Sequence, residues 1–166
     1  MALSQAFSAE LKQEAATTRK MLERVPQDKF DWKPHDKSMT LGRLAGHVAE
    51  LPTLIQLTLA ADEIDFASGQ YKPFLPASSS ELTETFDKNV GKALELLQNQ
   101  SDENLQKTWR LKRGEQIFLE LPRKAAMRTV GLNHLIHHRG QLSVYLRLLD
   151  VPLPSVYGPT ADEPMF

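Results

Sequence analysis

Apolar residues recur along this chain at steps of three, four and seven, the spacing that lays one side of an α-helix against a core. Leu3, Phe7, Leu11, Thr18, Leu22 and Val25 form a first such face, which ends at Pro26. A polar and aromatic connection follows, QDKFDWKPHDKSM, in which Pro34 biases the residue before it away from helix. A second helix is predicted from near Thr40 to about Ala61. Leu41, Leu44, Val48, Leu51, Ile55 and Leu59 are its buried stripe, and Pro52 marks a kink or irregular turn inside it. Residues 67–79 show no strong period and read as a long crossing connection. Ser78 and Glu81 then fit a capping box for a third helix with the stripe Leu82, Phe86, Val90, Leu94 and Leu97, which fades at QNQSDEN.

The period changes in TWRLKRGEQIFLEL, residues 108–121. Trp109 and Leu111 alternate with charges, Ile117, Leu119 and Leu121 fall at every second position, and Gly114 sits between the two runs. A short β-hairpin and an extended loop both fit. Pro122 suits the first turn of a last helix that runs to about Leu149. The tail VPLPSVYGPTADEPMF carries too many prolines for regular structure and is expected to wrap over the helices. The expected fold is all-α: a four-helix bundle with long crossover connections and a small β-hairpin before the last helix, forming a single domain over residues 1–166.

Composition narrows the partners. A chain of 166 residues is long enough for one sizeable core. Net charge is −1, where a nucleic-acid-binding domain would be clearly basic, so no nucleic acid is expected. The sequence has no cysteine, which removes disulfides, thiolate metal sites and cysteine nucleophiles. MALSQAFSAELKQ lacks a basic stretch leading into an apolar run, and no apolar run approaches a membrane span. A cytoplasmic protein without a membrane partner is the expectation.

The chemistry lies in the histidines. His134 and His138 are four apart in NHLIHHRGQL and project from one helical face, while His47 in LGRLAGHVAEL sits beside the second helix's buried stripe. Imidazole is a common ligand for zinc, nickel and related ions, and three imidazoles leave open coordination positions, as a catalytic site requires. A hydrogen-bonded cluster of core histidines is the competing reading, since a buried ring must find some partner. His137 points about a hundred degrees from His138 and reads as a surface or supporting residue. His35 reads as a solvated loop residue. Glu50, three after His47, either reaches the ligand or forms a solvent-facing salt bridge. Arg139 is a candidate for an ion pair between helices. Arg110, Lys112, Arg113, Arg123, Lys124 and Arg128 read as a solvated basic face. Gly42 and Gly46 are explained by close helix packing. Residue 135 is leucine, so the general base of an HExxH metalloprotease is missing.

HVAEL, then NHLIHHRGQLSVYLRLL, then VYGPTADEP, with the lead-in FDWKPHDKSMTLGRLAGH, resemble the DinB/YfiT family of helical metalloproteins over essentially the whole chain. The resemblance implies a four-helix bundle with a long crossover and a divalent metal on His47, His134 and His138, with zinc or nickel the usual ions and water filling the open positions. It also implies a homodimer. Relatives include S-transferases and isomerases that use low-molecular-weight thiols such as bacillithiol or mycothiol. The expected activity is therefore metal-dependent and acts on a small-molecule substrate, as a thiol S-transferase or a hydrolase, with Glu50, Tyr145 or His137 as candidate proton shuttles. The alternatives are a metal-binding or sensing protein without turnover and a structural interaction bundle.

Overall fold

The computed structural model describes residues 2–69 and 71–164; Met1, Gln70 in the crossing connection, and the last two tail residues, Met165 and Phe166, lie outside it. The chain is mostly helical with a small three-stranded sheet. The first apolar face becomes α1 (Leu3–Leu22). The second predicted helix is divided into α2 (Leu41–Glu50) and α3 (Pro52–Ala60), joined at Leu51. Proline has no N–H to give the preceding turn and fits the first position of a new helix, so Pro52 starts α3 instead of bending one long helix. The Thr40 side chain caps α2 by accepting from the Arg43 N–H. All six residues of the predicted stripe, Leu41 through Leu59, are buried.

After α3 comes a short strand, β1 (Glu63–Asp65), which the sequence reading did not foresee. A crossing loop leads to α4 (Ser79–Gln98). Here the capping box is present in a modified form: Ser78 Oγ accepts from the Glu81 N–H, and Glu81 reaches back to the N–H of Ala77. A short α5 (Asp102–Gln106) lies where the third helix was expected only to fade. The hairpin is formed, by β2 (Thr108–Arg113) and β3 (Gln116–Pro122), with Gly114 at φ +58° in its turn. β1 adds to β2 in parallel, Ile64 opposite Leu111, so the all-α expectation is corrected to a helical fold carrying a three-stranded sheet. A three-residue strand shows no period of its own, because its pairing partner lies 47 residues away at Arg110.

The last helical stretch is also not uniform. Pro122 is extended, with ψ 139°, and closes β3 instead of opening the helix. α6 (Arg123–Ala126) passes through a π-helical turn, Met127–Leu132, into α7 (Asn133–Leu148). α1 and α2 both pack against α4 and α7, while α3 packs against α4 and the π turn. Gly131 makes the last contact possible, since a Cβ there would stand 2.4 Å from Ile55 Cγ1. Two buried clusters result, one around Leu44, Val48, Phe86 and Leu142, the other around Leu11, Ile55, Leu97 and Leu132. The tail does lie over the helices: Val151, Leu153 and Val156 pack on the first cluster, and Arg24 donates to the Pro152 carbonyl at 2.8 Å. Among the described residues no helix is long and apolar enough to cross a membrane.

One charged group departs from the surface role expected of it. Arg123 is 2% exposed and donates to the carbonyls of Thr58, Leu59 and Ala61, satisfying the open C-terminal end of α3, and it pairs with Asp62. It does not belong to a solvated basic face. Of the rest of that face, Arg110 pairs with Glu120, Lys112 with Glu63 and Arg128 with Glu10. Arg139 makes the expected ion pair between helices, 2.7 Å from Glu14 of α1, with its guanidinium over the Tyr157 ring.

Candidate metal centre

α2 and α7 lie side by side, and this contact brings His47 to His134 and His138. One nitrogen from each ring lies within 4.8 Å of the others. Ring centroids are separated by 4.6 Å for His47 and His138, 5.1 Å for His47 and His134, and 4.7 Å for His134 and His138. The i,i+4 spacing on α7 supplies two rings, and the third comes from the helix packed opposite.

Each ring is held from behind by an acceptor. His47 Nδ1 lies 2.6 Å from Glu50 Oε1, and His138 Nδ1 lies 2.7 Å from Gln141 Oε1. His134 Nδ1 faces the Val130 carbonyl at 3.3 Å, inside the π turn, a distortion that recurs at functional sites. The Glu50 carboxylate and the Val130 carbonyl can only accept, so His47 and His134 carry a proton on Nδ1; with Gln141 presenting its oxygen His138 does the same, and its Nε2 then keeps a lone pair. The Nε2 atoms of His134 and His138 are 2.9 Å apart. Two lone pairs at that distance repel unless a positive centre lies between them. An extra proton is a poor solution here. Burial first, then the His47 ring, holds His134 below the usual histidine range. Burial, with repulsion from the neighbouring rings, holds His138 down to about 4. Three imidazoles brought this close, two of them held neutral by burial, are a donor set that could hold a metal ion, and they leave further coordination positions open.

Glu50 is the centre of the supporting structure. It is buried, not solvent-facing, which settles between the two roles considered for it. Oε1 accepts from His47, from the Tyr71 hydroxyl at 2.7 Å and from Arg43 Nη2 at 3.1 Å, and Oε2 accepts from the Phe74 N–H at 2.8 Å. Burial alone would raise its pKa. The hydrogen bonds from His47, Phe74 and Tyr71, with the charge of Arg43, outweigh burial and keep it below the ordinary carboxylate range. Burial and the bond to Glu50 push the Tyr71 phenol up, so it stays protonated as a donor. The crossing loop is thereby tied to the helix that carries His47. Gly46 allows this closeness: a Cβ there would stand 2.5 Å from the Phe74 carbonyl oxygen, and one on Gly42 would stand 3.0 Å from Phe30 Cβ. The two glycines serve approach by connecting segments and not, as expected, packing by another helix.

The other candidates lie elsewhere. His137 is exposed, its ring centroid 4.8 Å from that of His138 and outside the group of three. Tyr145 packs edge-on against Trp32 and donates to the Met39 carbonyl at 3.3 Å. His35 is exposed and accepts from the Lys37 N–H in its own loop. The sequence reading missed Arg43 and Tyr71 as supports, and Gln141 as the partner of His138. One signal was there to find: His47 and His138 are each followed three positions later by an oxygen-bearing side chain, Glu50 and Gln141. Tyr71 gave no signal, since it enters from an aperiodic loop.

The family model described as DinB family matches residues 2–165. Over 155 residues the chain is 25% identical to YrdA of Bacillus subtilis strain 168, which is described as uncharacterized, covering 90% of this chain and 85% of that one. A DinB-like protein from Bacillus cereus superposes with a TM-score of 0.68 at 26% identity, covering 88% of this chain and 92% of that one. A DinB-like protein from Bacillus subtilis superposes with a TM-score of 0.69 at 18% identity, covering 96% and 98%.

Proposed function

The chain belongs to the DinB family, and on that premise we propose that it is a metal-dependent enzyme in which His47, His134 and His138 hold a divalent cation, zinc or nickel. The observation that carries this reading is the approach of one nitrogen from each of three rings to within 4.8 Å, with an oxygen of Glu50, Val130 or Gln141 behind each Nδ1. A dry cluster of core histidines would be expected to pair its ring nitrogens donor to acceptor; with Gln141 presenting its oxygen to His138, two acceptors meet instead. We read the helical layer as a four-helix bundle in one domain, with α2–α3 and the α6–α7 stretch each counted as one broken helix.

A cation bound by three imidazoles would supply Lewis acidity, lowering the pKa of a thiol or water at an open position. Thiol S-transfer is the reading favoured for the reaction, with a low-molecular-weight thiol as co-substrate, and hydrolysis is the second. The protein's own part is to orient the three rings and to keep His134 and His138 neutral. Glu50 and Gln141 fix two tautomers, and the Val130 carbonyl fixes the third. With His137 outside the group, Tyr145 directed at a backbone carbonyl and Glu50 behind the His47 ring with four donors on it, we read Glu50 as the support of that ring and not as a proton carrier. We also read the protein as a homodimer, whose interface would cover Val144 and Leu148, each 58% exposed and one turn apart on α7.

The test is elemental analysis of untagged protein from its native host, beside His47→Ala and His134→Ala. Near-stoichiometric metal, lost in both folded variants, supports the site and justifies screening thiols and electrophiles. Metal-free native protein that binds neither added zinc nor added nickel would leave a structural bundle as the better account.

A further inference from the structure

A cavity of about 670 Å³ lies between α3, α4, β1 and the crossing loop. Its size suits a small organic molecule. None of the three histidines lines it, but Glu50 does. The walls are largely hydrocarbon, with Leu54, Leu57, Ile64 and Phe66 prominent among them. Leu57 and Phe66 are large apolar side chains left 46% and 41% exposed, and here they border one concavity instead of being scattered singly.

The charges around the cavity are unequally committed. Glu50 already accepts from four donors. Glu63 is paired with Lys112 at 2.7 Å, and Asp65 accepts from the N–H groups of Ala67 and Gly114. Lys72 is the one cation in the lining, and among the described residues it makes no ion pair. An entering molecule therefore meets apolar walls, three carboxylates that keep their charge but already have donors, and one ammonium group that is without an ion-pair partner among the described residues.

We propose that this cavity binds a small apolar acid, its hydrocarbon against Leu57, Ile64 and Phe66 and its carboxylate paired with Lys72. The site is separate from the histidine group and does not depend on the metal reading. It shares Glu50, Tyr71 and Phe74 with the supports of His47, so an occupant would press on residues that hold that ring.

The experiment is calorimetric titration of the whole chain with octanoate, octylammonium and 1-octanol, repeated with Lys72→Met, Leu57→Glu and His134→Ala. Octanoate is expected to bind saturably at one site. It should bind about fivefold tighter than octanol, as an exposed ion pair supplies. Lys72→Met should remove that preference, and Leu57→Glu, at an exposed position that tolerates charge, should abolish octanoate binding. His134→Ala should leave it unchanged, which separates this site from the proposed metal. Absence of saturable binding, tighter binding of octylammonium, an unaltered preference in Lys72→Met, unaltered octanoate binding in Leu57→Glu, or loss of octanoate binding in His134→Ala would each overturn the proposal.

Discussion

Replacing Glu50 by glutamine keeps the side chain's shape but exchanges one acceptor oxygen for an NH2 donor. In the native protein four donors meet the two carboxylate oxygens: His47, Tyr71 and Arg43 at Oε1, the Phe74 N–H at Oε2. Glutamine has only one oxygen, so its NH2 must face a donor whichever way the amide turns. Facing Phe74 it opposes one donor; facing His47 it opposes three. The first arrangement costs less, so the amide oxygen stays on His47 and Tyr71, and the crossing loop loses one of its two anchors, the Phe74 N–H. The His47 ring then leans on a neutral acceptor instead of a charged one, a bond worth roughly 0.5–1.5 kcal/mol in place of about 1.5–3 kcal/mol. Loss of such outer support lowers metal affinity about 10- to 100-fold. Because His47 keeps an acceptor, the expected loss is at the low end, about tenfold, or about 1.4 kcal/mol. Zinc affinity would be measured by competition with a chelating dye, and protection of the Phe74 amide by hydrogen exchange. Affinity within twofold of the native value, with Phe74 protection unchanged, would refute both the assignment of Glu50 as support for a ligand and its role as loop anchor.

Arg139→Met leaves the Glu14 carboxylate buried without its cation and should cost about 3–5 kcal/mol in urea unfolding; the double variant with Glu14→Leu should recover most of it, because both charges are then gone. Gly46→Ala forces its methyl group against the Phe74 carbonyl and should destabilise the protein by about 1–3 kcal/mol, with exchange accelerated first in the crossing loop. In metal-free protein, burial holds His134 and His138 below their unfolded pKa, and for His138 the window in which the unfolded chain binds more protons than the native one runs from about 4 to 6.5. Their contribution is complete above the ordinary histidine value and is lost as pH falls through that window. Denaturant midpoints in EDTA should decline from pH 7 to pH 4.5, less steeply in His138→Gln, and equal slopes for the two proteins would contradict the assignment.

What could be read from the sequence follows the range of each interaction. The stripe from Leu41 to Leu59 was legible because a helical period is local, and the i,i+4 pair His134 and His138 for the same reason. The break at Pro52 was visible as a break, but two separate helices and one bent helix look alike in sequence. The π turn at Met127–Leu132 was not visible, since no local period marks it and the close approach of its Gly131 to Ile55 spans 76 residues. Arg123 was misread because it stands among surface cations, and only the fold shows that α3 ends on top of it.

The same distinction applies within the site and bears on what controls it. The rings themselves stand on two helices and could be named in advance. Their supports are of two kinds. Gln141 and the Val130 carbonyl belong to the same helical stretch as the rings they hold, so those tautomers are fixed as soon as that stretch forms. Glu50 is also local to its ring, three residues from His47, but two of its other three donors, Tyr71 and Phe74, arrive 21 and 24 residues later on an irregular loop. A loop is the part of a fold most easily displaced, by a ligand or by thermal opening. Whatever displaces this one removes donors from Glu50 and makes the carboxylate a stronger acceptor for His47, while leaving His134 and His138 untouched. His47 is therefore the ring whose environment can be adjusted without unfolding a helix, and regulation of the centre, by substrate or by anything in the adjoining cavity, should register there first.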